Sequence, residues 1–191
     1  MLAQLSRALA RIVLGLALVV VLFAASPAPT SAQQAEASQI TTVLLVRHAD
    51  RGNGDFLTPE GKARAEELVQ VVEKADVKAI FMTDTQRSQE TVQPLIENLQ
   101  PQPQETEYKY STVTSEQSAQ DLKDKVMRNH AGQVVFAVAH SDTLRPIVQA
   151  FGGNPDNCQL SGNEYDNLCV ISVYAPDRAN VINLQYGKPS P

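Results

Sequence analysis

The sequence predicts an α/β domain with a doubly wound, mostly parallel sheet and helices on both faces. Three observations carry that expectation. Val43 to Val46 is a run of branched aliphatics that suits a strand buried on both faces. Strand-like runs then alternate with stretches of helical periodicity as far as Phe151, the pattern of right-handed crossovers covering a parallel sheet. Polar residues that could carry chemistry also stand where such runs end, at the edge where α/β sheets present ligand groups.

The elements follow in order. The first strand spans Thr42 to Arg47 and gives way to a polar, glycine-containing turn, Asp50 to Leu57. Thr58-Pro59 pairs an N-capping residue with proline at the first helical position. Ala65, Leu68, Val69 and Val72 then recur at helical spacing, giving a helix to about Lys74. Val77 to Met82 is the second strand, and Thr83-Asp84-Thr85 offers caps for a helix running towards Leu99 with a kink at Pro94. A short strand is expected over Tyr108 to Val113, and a third helix, with Ala119, Leu122 and Val126, ends near Asn129. Gln133 to Ala139 is a strand ending at His140, and Ser141-Asp142-Thr143 can cap a helix that Gly152-Gly153 stops. Leu168 to Tyr174 and Asn180 to Gln185 read as a hairpin around Pro176-Asp177.

The N-terminal part stands outside this pattern. Arg7 and Arg11 precede the apolar run Ile12 to Ala25, and small residues such as Thr30-Ser31-Ala32 follow, as in a secretory signal peptide. The expected organisation is a signal over 1–32, a disordered stretch over 33–40 and one domain over 41–191. Export to the periplasm or the medium is expected after cleavage. The alternative is an uncleaved membrane anchor, although the run is shorter than the roughly 20 apolar residues that span a bilayer. Without the leader's two arginines, 14 basic residues face 21 acidic ones, a net charge of −7. That balance argues against nucleic acid as a partner, because such binding rests on phosphate neutralisation by Lys and Arg. Cys158 and Cys169 are an even pair that could form a disulfide in an exported protein, or could be two buried thiols. Neither has metal-ligand spacing to a His or another Cys, so no zinc site is expected.

Arg47 and His48 close the first strand, Arg87 lies in the opening turn of the second helix and His140 closes a later strand. In a parallel sheet these positions converge on one crevice. A cation in a helix's first turn opposes the positive end of the dipole, so an anion is expected there, and a phosphoryl group would satisfy both. His130, at an expected helix end, reads as structural.

These residues resemble the histidine phosphatase superfamily, which has the phosphoglycerate mutase-like fold. The resemblance rests on Leu45-Val46-Arg47-His48-Ala49, on Leu57-Thr58 with Gly61 and Arg64-Ala65, on Thr83 with Arg87 and Thr91, and on Ala139-His140-Ser141. It implies a phosphomonoester hydrolase acting on a small phosphorylated substrate through a phosphohistidine at His48. Arg47, Arg87 and His140 would bind the phosphate, and no cofactor or metal would be needed. A neutral imidazole fits this role when one ring nitrogen is held by a backbone carbonyl and the guanidinium groups depress its pKa. Ala49 departs from the Gly usual after the nucleophile. The Ser and Asn of mutases are replaced by Arg51 and Gly54, and the mutases' long insertion has no room here, which favours a phosphatase.

The leaving-group acid has no clear match in the sequence. Glu105, Glu107 and Glu116 follow the second helix, where many members supply a Glu, and Asp142 lies two residues beyond His140, as an acid or simply as a helix cap. Two other function classes compete. One is a catalytically weak phosphate- or phospholigand-binding protein with the same pocket; the other is a metal hydrolase using His48, His130 and His140, whose cation Arg47 and Arg87 would repel. Substrate choice is expected to depend on Gln100 to Gln117 and on Asn154 to Asn163.

Overall fold

The computed structural model of the protein describes residues 39–103, 105–107, 115–158, 162 and 164–190. The leader, the stretch that follows it to residue 38 and the strand expected over Tyr108 to Val113 lie outside the described residues.

Four strands and four helices alternate before a terminal hairpin. The order is β1 (Thr41–Arg47), α1 (Pro59–Val72), β2 (Val77–Phe81), α2 (Gln86–Asn98), β3 (Glu105–Glu107), α3 (Ser115–Asn129), β4 (Val134–Ala139), α4 (Leu144–Ala150), a 3-10 turn at Pro155–Asn157, β5 (Asn167–Ala175) and β6 (Arg178–Gln185). They form a six-stranded sheet in the order β3-β2-β4-β1-β5-β6. Its β1-β4, β4-β2 and β2-β3 pairings are parallel, whereas β5 and β6 add to the far side of β1 as an antiparallel pair. A third strand is described at Glu105–Glu107. Parallel pairing with Ala79 to Phe81 selects that segment despite its polar composition.

Side-chain alternation sorts the core into two layers. Val43 and Leu45 of β1 pack with Ala137, Phe81 and the apolar faces of α3 and α4, including Leu122, Ile147 and Phe151. Leu44 and Val46 face the other way, onto Leu68 of α1 and Val92 and Leu95 of α2, with Phe136 and Val138 beside them. The aliphatic run at Val43 to Val46 is buried because both faces of the central strands are covered.

Thr58 caps α1 as the sequence indicated, its hydroxyl accepting from Gly61 N at 3.1 Å with Pro59 following at the first helical position. Two other helix starts differ from expectation. Thr85 occupies the N-cap of α2 but makes no side-chain cap bond, its hydroxyl donating instead to Ser88 Oγ at 2.9 Å. Thr143, rather than Asp142, is the N-cap of α4, and its hydroxyl turns back to the backbone N–H and carbonyl of His140. Pro94 lies inside α2, which continues to Asn98.

Gly61 has a steric role. A Cβ at this position would stand 2.1 Å from the carbonyl oxygen of Asp50, so only glycine lets the first turn of α1 lie against the chain leaving β1. Arg64, one turn on and buried, then donates to Asp50 Oδ2 at 2.6 Å and to the carbonyl of Lys188 at 2.8 Å. Gly61→Ala tests the contact. Helix propensity alone would favour alanine by about 1 kcal/mol. Overlap with a backbone carbonyl should reverse the sign, for a net loss of about 1–3 kcal/mol, read as a lower urea midpoint at unchanged m-value.

Candidate active site

The parallel pairing of β1 with β4 builds the site. Arg47 is in register with Ala139, and His48 N donates to the Ala139 carbonyl at 3.1 Å, so the residues just beyond the two strands stand side by side. The His48 and His140 rings are 5.4 Å apart between centroids, tilted by 58°.

His48 is 2% exposed and its protonation is set by its own backbone. Nδ1 lies 2.8 Å from the Ala49 carbonyl oxygen, which can only accept; Nδ1 therefore carries the hydrogen and Nε2 the lone pair. The Ala49 peptide is held in turn: its N–H donates to Thr91 Oγ1 at 2.9 Å, and the Thr91 hydroxyl donates to the Arg87 carbonyl at 2.7 Å. Ala49 replaces glycine without strain here, its methyl buried beside Leu57 and Ala65. Burial is the largest cause pushing the His48 pKa down from 6.5 to about 3, the charges of Arg47 and Arg87 adding to it and the bond to Ala49 opposing. The sequence argument credited the guanidinium groups; desolvation outweighs them.

The arginines flank this ring. Arg47 stacks on the Tyr165 ring at 4.2 Å and donates through Nη1 to the Gly162 carbonyl. Arg87 donates through Nη2 to His140 Nδ1 at 3.4 Å and through Nη1 to Asp55. A guanidinium has no lone pair to offer, so His140 Nδ1 is the acceptor and Nε2 the donor, to Thr83 Oγ1 at 2.9 Å. Burial first, and then the Arg87 charge, lower the His140 pKa, which matches this neutral form. Among the described residues, the Nε atoms of Arg47 and Arg87 are buried donors with no acceptor. Such donors are costly to leave unpaired, and an oxyanion between them would satisfy both.

Of the sequence-derived set, Arg47, His48, Arg87 and His140 come together. His130 precedes β4 and lies at the opposite end of that strand, buried edge-on to Phe81 with Nδ1 2.9 Å from Gln133 Oε1. It cannot share a metal with His48 and His140. No group of three or more His, Cys, Asp or Glu among the described residues is placed to hold a metal ion. Asp142 is exposed and accepts from Ser115 at 3.4 Å, Glu116 is exposed on α3, and Glu105 and Glu107 are in edge strand β3. The anion expected at the start of α2 is also different: it is the carboxylate of Asp55, which accepts from Gln86 N at 2.9 Å as well as from Arg87.

Asp55, Tyr165 and Gly162 went unnoticed in the sequence. Asp55 lies in the polar turn after β1, among glycines that marked only a loop, and an isolated Tyr after Glu164 carries no pattern. Cys158 and Cys169 are joined by a disulfide that closes the segment carrying Gly162 and Tyr165. The Tyr165 ring lies 5.9 Å from His48 and also walls an open groove of about 420 Å³, which Arg51, Glu60, Glu67 and Lys188 line. An apolar cavity of about 480 Å³ opens under Thr41, at the opposite end of β1.

Comparisons with known proteins agree with this fold. Residues 43–109 match the model of the histidine phosphatase superfamily (branch 1). The fold is similar to that of a mycobacterial glucosyl-3-phosphoglycerate phosphatase, with TM-score 0.55 and 12% identity over 78% of this chain and 98% of that one. It is also similar to Bacillus stearothermophilus YhfR, with TM-score 0.54 and 18% identity over 74% and 95% of the two chains. The protein histidine phosphatase SixA, solved with tungstate, gives TM-score 0.51 and 12% identity over 78% and 96%. Among curated proteins none matches.

Two outcomes are expected from this geometry. The native state keeps His48 neutral down to about pH 3, while the unfolded chain protonates it below about 6.5. Between those values the unfolded state binds the extra proton, so stability falls as pH falls through that window. Urea midpoints at pH 7 and pH 5 should therefore drop further for the wild type than for His48→Gln. Reducing the Cys158–Cys169 disulfide should release the Tyr165 segment, at a cost of about 3 kcal/mol of stability for so short a loop. Calorimetric titration with inorganic phosphate should then show weaker binding.

Proposed function

We propose that this chain, which resembles the histidine phosphatase superfamily in its ordered motifs and in its fold, is a phosphatase that hydrolyses a phosphomonoester through a phosphohistidine on His48. The observation that carries this reading is a buried, neutral imidazole with its Nε2 lone pair free of the Ala49 bond, set between two arginines whose buried Nε–H groups have no acceptor among the described residues. That is the arrangement an in-line attack on a phosphoryl group requires. The nucleophile is unprotonated near neutral pH, and fixed donors meet the charge on the equatorial oxygens.

In this reading Arg47 and Arg87 clamp the phosphoryl oxygens while Nε2 attacks phosphorus. A dianion beside His140 raises that ring's pKa, so it takes up a proton and donates from Nδ1 once Arg87 turns to the substrate. The leaving group extends into the groove walled by Tyr165, whose mixed lining of Arg51, Lys188, Glu60 and Glu67 suits a polar substrate of modest size. Water then attacks the phosphohistidine and releases inorganic phosphate. We also propose export from the cytoplasm, supported by the N-terminal leader pattern and by the disulfide, a bond favoured in oxidising compartments.

The purified protein should release phosphate from 4-nitrophenyl phosphate in the presence of a chelator, with kcat reduced at least about a thousandfold in His48→Ala. Arg47→Ala and Arg87→Ala should each cost on the order of a hundred- to a thousandfold. Single turnover with labelled substrate, quenched in alkaline detergent, should leave an acid-labile, base-stable phosphoryl label on the wild type and none on His48→Ala. Phosphate binding without turnover above the His48→Ala rate would instead establish a phosphate-binding protein.

A further inference from the structure

Asp55 is held on donors that the phosphatase reading assigns to substrate. Its carboxylate accepts from Gln86 N at the start of α2 and from the Arg87 guanidinium. Two residues on, Leu57 N donates to Glu90 Oε2 at 2.8 Å, tying the same loop to the next turn of that helix. The Asp55 side chain is 45% exposed and Arg87 21%, so this ion pair lies on the rim of the pocket and is open to an incoming ligand. From Arg87 contact passes to His140 and from His140 to His48. Of the other carboxylates among the described residues, Asp50 is bound by Arg64 and Glu116 is exposed on α3, while Asp142 accepts from Ser115 and its charge also reaches His140. Among the described residues, Asp55 is the carboxylate in direct contact with one of the pocket arginines.

We propose that Asp55 is the leaving-group acid, released from Arg87 and the start of α2 when the phosphoryl group takes those donors, and protonated because the group that replaces it is itself an anion. The proposal rests on the phosphatase reading. Its electrostatics follow from the surroundings of the carboxylate. From α2 it faces the Gln86 N–H and Arg87; at the end of β4 its charge, after the larger effect of Asp142, opposes the lowering of the His140 pKa; Arg51 lies on its own loop. In the free protein the Gln86 N–H, followed by Arg87, holds its pKa below the ordinary value. Once a phosphoryl dianion occupies Arg87, the cation is neutralised and a like charge stands nearby, so proton binding by Asp55 is favoured where it was opposed. A substrate arriving as the monoanion brings that proton with it.

The chemistry balances. As the His48 Nε2 lone pair forms the N–P bond and the ester P–O bond breaks, the departing oxygen takes the Asp55 proton and leaves as the alcohol. The Asp55 carboxylate next accepts a proton from the water whose oxygen attacks phosphorus. The P–N bond breaks, its electron pair returns to Nε2, and hydrogen phosphate departs. Asp55 then gives up the proton and pairs with Arg87 again.

The test uses the purified protein and phosphate monoesters of graded leaving group, from 4-nitrophenyl through phenyl to an alkyl phosphate. Asp55→Asn should lower kcat/KM for phenyl and alkyl phosphates on the order of a hundred- to a thousandfold more than for 4-nitrophenyl phosphate, whose phenolate leaves unaided. Asp55→Glu, which keeps the acid, should recover part of the loss on the poor leaving groups; circular dichroism confirms folding of both variants. A loss in Asp55→Asn that is the same for every leaving group would overturn the assignment. So would a uniform gain, which would make Asp55 only a competitor for the phosphate site. Wild-type rates no higher than those of His48→Ala would overturn the phosphatase reading and this assignment together, whereas a His48-dependent enzyme with a flat Asp55→Asn response overturns this assignment alone.

Discussion

The backbone pairing between β1 and β4 is the constraint on which the site depends. Parallel register sets Arg47 beside Ala139, and the bond from His48 N to the Ala139 carbonyl extends the ladder one residue past the strands. Both histidines are thereby fixed by main-chain hydrogen bonds before any side chain takes part. The further supports act on the backbone too: Thr91 holds Ala49 and Thr143 turns back to His140. Side-chain freedom at these rings is small because their peptides are pinned, the preorganisation that an electrostatic site needs.

Several of the residues that carry the family resemblance prove to be structural supports. Gly61 admits the carbonyl of Asp50, Arg64 ties that same Asp50 to the C-terminal segment, and Thr91 bridges Ala49 to α2. Each acts on the few residues that follow His48. The motifs spread along the chain thus converge physically on one short stretch, held from α1, from α2 and from the C-terminus. A substitution at Gly61 or Thr91 would reach the nucleophile through its backbone without touching the phosphate.

Legibility in the sequence followed the range of the interaction. Arg47 and His48 could be placed because they end an aliphatic run, Thr58-Pro59 because capping is a local rule, and His140 because its strand is as regular as the first. The hairpin at Asp177 was equally plain. Asp55 was not, since its partner lies 32 residues away and nothing about a loop aspartate says which helix it will reach. Tyr165 and Gly162 reach Arg47 only because an antiparallel pair is added next to β1, an arrangement that depends on the whole sheet. β3, at Glu105–Glu107, was not legible because a three-residue edge strand is chosen by its neighbour rather than by its own composition.

The disulfide has a consequence for how the cleft opens. On one side, the segment bearing Tyr165 is tied covalently at Cys158 and Cys169 and rooted in the hairpin. On the other, the segment bearing Asp55 carries Gly52 and Gly54 and is held by hydrogen bonds and an ion pair on the surface of α2. Breathing of the native state takes the least costly route, which here is the side without a covalent tie. The two arginines of the cleft thus stand against walls of different kinds, Arg47 against one stapled by a covalent bond and Arg87 against one held by hydrogen bonds and an ion pair alone.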